Sequence, residues 1–156
     1  MEDLVLEGLY QMRFNLNERE YIYQDWTRCS VGHVYLAANG KKAGSTSAVL
    51  NTENQPLARQ MLEAIIDANP MKDDDGTNWA TLCVMVSHMT VRVAREMFGS
   101  VPEQNGEWDD ESLRLACLQM VNNAIEKIEA DQRAAMLEIA RWTSTAAVED
   151  REPALV

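Results

Sequence analysis

Apolar residues recur three and four positions apart along nearly the whole chain, and that spacing most limits what this sequence can fold into. Val5, Leu9, Met12 and Leu16 mark one stripe, and Leu57, Met61, Ala64, Ile65 and Ala68 a second. Trp79, Leu82, Val86, Met89 and Val93 make a third, and Leu113, Cys117, Met120, Val121, Ala124, Ile125 and Ile128 a fourth. Side chains at such intervals share one face of an α-helix, whereas a half-buried strand alternates by two. End signals agree with the stripes. Pro56 suits a first turn, Asn69-Pro70 a stop, Asn78 a start, and Gly99 with Pro102 another stop. Asp109 is placed to cap the last helix, with Asp110 and Glu111 favoured by its dipole. The pattern predicts an all-α fold, a compact single-domain bundle of about five helices with a long C-terminal helix. Residues 1–145 form that domain and 146–156 a flexible acidic tail. The last stripe resumes at Ala135, Ile139 and Trp142 after the polar Ala130-Asp131-Gln132, so the helix either continues or breaks near Asp131.

The segment WTRCSVGHVYLAANG, residues 26–40, concentrates unusual residues. With Thr27 as N-cap, Trp26 and Val31 become the pair that closes a hydrophobic staple, which would bury Trp26; Trp108 and Leu113 form the same pair at Asp109. The helix that follows is apolar on more than one side, so it is expected in the interior. Gly32 costs about 1 kcal/mol relative to alanine inside a helix, and the close approach of a crossing neighbour would offset it. Gly40 stands where a left-handed C-terminal residue belongs. Residues 41–55 read as an exposed loop, and Tyr21-Ile22-Tyr23 as a short extended piece. The acidic run Asp73-Asp74-Asp75 does not make a calcium loop. With Gly76 as the sixth residue, positions 1 and 12 fall on Met71 and Leu82 instead of carboxylates.

A chain of 156 residues can bury one sizeable core. It has no apolar run long enough for a membrane span and no basic-then-apolar leader, so a cytoplasmic protein with no membrane contact is expected. Three cysteines, odd in number and inside apolar stripes, read as reduced core thiols. A net charge of −11 argues against direct nucleic-acid binding, which needs a basic face. The acids are scattered instead of concentrated, which fits solubility better than mimicry of DNA.

Candidate chemistry is sparse. Cys29 and His33, one turn apart, share a helix face, but a zinc site needs two further ligands. Cys83 and His88 lie some 140° apart round a helix and cannot supply them. Cys29 near a helix N-terminus gains thiolate character from the dipole, yet His33 on the same helix is poorly angled as its base. No catalytic residue, metal or cofactor is therefore expected. One charge feature stands out: no acid occurs from Gly76 to Arg95, and His88, Arg92 and Arg95 fall on one helical side. That side, together with the apolar Trp142 region, is the expected surface for a partner or an anionic ligand.

Trp26, Cys29, Gly32, Tyr35 and Ala37 follow the spacing Trp-x-x-Cys-x-x-Gly-x-x-Tyr-x-Ala. In this the chain resembles small uncharacterised helical domains of actinobacteria and their phages, in which a Trp-Asn-Asp-like helix start follows later, as Trp108-Asp109-Asp110 does here. The resemblance covers some fifteen residues and implies a small helical accessory protein without an assigned activity. The expected function is a non-enzymatic protein that binds and modulates a host or phage protein in the host cytoplasm, with a homodimer among its partners. The alternative is a small anionic-ligand-binding or thiol-dependent enzyme domain.

Overall fold

The computed structural model describes residues 2–50, 55–69, 78–99, 103–104 and 107–155, with side chains left aside at 2–3, 103–108 and 145–155. The chain is all-α. Its helices are α1 (Glu2–Glu18), α2 (Ser30–Asn39), α3 (Thr46–Leu50), α4 (Pro56–Ala68), α5 (Trp79–Phe98) and α6 (Asp110–Leu155). Two-residue strands, β1 (Glu103–Gln104) and β2 (Glu107–Trp108), pair antiparallel ahead of α6. The acidic loop at 71–77 and the side chain of Trp108 lie outside the described residues.

The chain divides into two units, Met1–Ile125 and Glu126–Val156. In the first, the expected stripes face inward: Leu9, Met12, Leu16, Met61, Ile65, Met89, Leu113, Met120 and Ile125 are all buried. α2 packs against α1, α4 and α5. Its position in the interior follows from its having little polar surface. The crossing of α1 and α4 is close at Gly8, where a Cβ would stand 2.7 Å from the Met61 sulfur. The second unit holds the C-terminal part of α6, which is assigned as helix through Asp131 without a break. It takes in both the end of the expected domain and residues 146–156.

Helix ends follow local chemistry. The Asn78 side chain accepts the Thr81 N–H at 2.9 Å and caps α5. Asp109 caps α6, accepting the Glu111 N–H at 3.1 Å and the Ser112 hydroxyl at 3.0 Å. Gly40 takes the left-handed conformation, φ 75°, and its N–H reaches the Leu36 carbonyl.

The start of α2 departs from expectation. Its N-cap is Cys29, and Thr27 belongs to the preceding turn. There the Asp25 carboxylate accepts both the Thr27 N–H, at 2.9 Å, and the Thr27 hydroxyl, at 2.7 Å. An aspartate that bonds two residues onward makes its own turn, which takes Thr27 away from capping. Trp26 itself is half-buried. Gly32 is explained by the same turn and not by a crossing helix: a Cβ there would lie 2.3 Å from the Thr27 carbonyl carbon. Tyr21-Ile22-Tyr23 forms no strand. The region 41–55, read as a loop, contains α3, whose Val49 is buried and whose carbonyl accepts the Trp79 indole N–H at 2.9 Å.

Candidate functional site

The basic side of α5 arises because the core of the first unit claims Leu82, Val86, Met89 and Val93. His88 and Arg95 are exposed, and among the described residues neither side chain has a hydrogen bond or ion pair. Arg92 differs from them. It is partly buried, donates from Nη2 to the Asn69 carbonyl at 3.1 Å, and lies 3.9 Å from Glu96. Glu96 thus faces Arg92 and not Arg95. Arg92 serves the fold as well as the surface, so it is not a purely solvated cation.

Asn69, the residue Arg92 holds, ties three helices. Its side-chain amide donates to the carbonyls of Ile65 (2.9 Å) and Met120 (3.1 Å), and its Oδ1 accepts from Asn123 at 2.8 Å. Sequence reading gave Asn69 only a stop role. Its tertiary partner Met120 is fifty-one residues away, which no local signal reveals.

The Cys29–His33 pair sits in a different chemical setting from the one a reactive site needs. Burial raises the Cys29 thiol even though the Gly32 and Val31 N–H groups favour its thiolate, so desolvation outweighs the helix terminus. Burial likewise pushes Cys83 and Cys117 up to about 12. His33 is only 2% exposed and stacks on Tyr21. Its Nε2 stands 3.0 Å from the Glu20 carbonyl, an acceptor only, so Nε2 carries the proton. Burial lowers its pKa and keeps the ring neutral. Beside it runs a buried hydroxyl chain, Tyr21 to Ser30 at 2.9 Å and Ser30 to Thr90 at 2.9 Å, ending on the Val86 carbonyl. Among the described residues no group of three or more His, Cys, Asp or Glu side chains is placed to hold a metal ion.

A cleft of about 320 Å³ opens beside His33, walled by Arg19, Glu20, Thr27, Arg28, Leu36 and Lys42. Arg28 is already engaged there by Glu20 and Asp25. The Thr27 hydrogen bonds hold the Asp25 carboxyl below its ordinary range.

Four large apolar residues of α6 in the second unit are exposed. Met136, Leu137, Ile139 and Trp142 are 66–72% exposed. Ala135, Ile139 and Trp142 lie on one face by their spacing of four and three. A lone exposed apolar residue is ordinary, but several large ones within two turns of a single helix mark a contact surface.

Compared with known proteins, the chain matches no family model, no curated protein and no solved structure. The fold and these surfaces define an all-α protein with an apolar core that encloses a short hydroxyl chain, a basic side on α5 and exposed apolar residues on the later part of α6. No described helix is long and apolar enough to cross a membrane.

Proposed function

We propose that this chain is a non-enzymatic accessory protein that works by binding another protein, of the kind its resemblance to the actinobacterial and phage domains implies. The observation that carries this reading is the exposure of Met136, Leu137, Ile139 and Trp142 on a helix whose earlier apolar stripe is buried. Exposing such side chains costs solubility, and a bound partner removes that cost. The buried, raised thiols speak against thiol catalysis. The test is affinity capture from the native host's lysate, run in parallel with the chain and with its Ile139→Glu/Trp142→Glu variant. A protein held by the first and lost by the second is expected. If every captured protein binds both equally, the α6 face is not the contact.

A second reading, an anionic ligand, draws on the cleft lined by Arg19, Arg28 and Lys42. Inorganic phosphate should then raise the melting temperature of the chain, and Lys42→Glu should abolish the rise.

A further inference from the structure

Two strips on this chain share one spacing. On α5, Val84, His88, Val91, Arg95 and Phe98 follow one another at four, three, four and three residues. Val84, His88, Arg95 and Phe98 are exposed and Val91 is half-buried. On α6, Ile128, Gln132, Ala135, Ile139 and Trp142 repeat the same four, three, four, three. Each strip covers about 21 Å at 1.5 Å per residue, so the two match in length. Alternating steps of four and three are what lets two helices interdigitate side by side.

Their charges are opposite. The α5 strip contains His88 and Arg95 and lies in a helix with no acid before Glu96. The α6 strip is bordered by Asp131, Glu138 and Lys127 on one edge and Glu129 on the other, three acids to one base. The bases Arg133 and Arg141 lie about 140° round the helix from its centre, on the far side. Pairing two α6 strips would bring two net-acidic borders together, whereas α5 against α6 sets the Arg95 cation beside anions.

We propose that the occupant of the α6 face is a second copy of this chain, with the α6 strip of one molecule lying along the α5 strip of another. The proposal rests on the reading of the α6 face as a protein contact and names its partner. The two surfaces differ, so the contact is heterologous: it closes by reciprocal exchange or extends from copy to copy.

Sedimentation velocity of the full chain from about 1 to about 100 µM tests it, since mass action makes association concentration-dependent. The wild-type mass is expected to climb above the monomer, and to climb less at high salt. Two charge-reversed variants, His88→Glu/Arg95→Glu and Asp131→Lys/Glu138→Lys, should each need at least about tenfold more protein to associate. Mixed in equal amounts they should associate again, because each supplies the sign the other lacks. All four positions are exposed, and circular dichroism checks that each variant remains helical. Should one variant fail to fold, the salt series decides: association as strong in high salt as in low salt overturns the charge-matched contact. A monomeric wild type, or a mixture that stays monomeric, also overturns it. If the His88→Glu/Arg95→Glu variant associates undiminished while Trp142→Glu does not, α6 pairs with itself. The present proposal then fails, but the reading of α6 as a contact surface stands.

Discussion

The two halves of α6 carry the same kind of apolar spacing and meet opposite fates. In the first unit, Leu113, Cys117, Met120, Val121, Ala124 and Ile125 are almost wholly buried. In the second, Met136, Ile139 and Trp142 continue a helical stripe and stay largely in solvent. The first half finds other helices of its own unit, to which Arg114 also ties it by donating to the Leu16 carbonyl at 3.1 Å. The second half belongs to a unit made of that one helix. Apolar periodicity therefore states that a face needs covering, and does not state that the same chain covers it.

The largest expected effect tests the buried half. Met120→Ala removes a fully enclosed side chain and should cost about 3 kcal/mol in denaturant unfolding, by lost transfer energy and a residual cavity. A loss below about 1 kcal/mol would mean that this half packs no better than the exposed one. Gly32→Ala comes next. Its new methyl would strike the backbone of residues 26 and 27, a segment already held by Asp25, and should cost about 2 kcal/mol. A neutral result would show that the turn before α2 yields freely.

A pH effect follows from His33. Its folded-state pKa lies below the ordinary value of about 6.5, so the unfolded chain binds the proton more readily. This contribution is complete above about 6.5 and is lost as pH falls from there through the lowered folded value. The His33→Gln variant should lack that decline, and an unchanged pH profile would place the cause elsewhere. The smallest effect belongs to the exposed half: Trp142→Ala, measured at submicromolar protein, should shift unfolding by less than about 0.5 kcal/mol. A loss of several times that would show Trp142 packed within its own chain, and the contrast between the halves would disappear.

The helices were legible because their stripes and caps are local: Asn78, Asp109 and Gly40 each act within a few residues of themselves. The turn before α2 was not, because Thr27 and Cys29 both stand where a cap might, and the choice fell to the Asp25 carboxylate two residues before Thr27. α3 was hidden by its brevity and by an anchor, the Trp79 indole, thirty residues away. Among the candidate residues, the exposure of His88 and Arg95 could be read from the opposite core stripe. The bond from Arg92 to Asn69 could not, since its acceptor is a main-chain carbonyl in another helix's cap.

That cap has a consequence for how the first unit opens. Ordinarily the end of a helix frays by itself, and its amides exchange with solvent well before the interior does. At the end of α4, Asn69 grips Met120 and Asn123 of α6 with its side chain while its carbonyl holds Arg92 of α5. Fraying there must release all three helices together. The terminus of α4 is therefore expected to exchange with the core it fastens and not ahead of it, so that the tip of this helix resists water as an interior does.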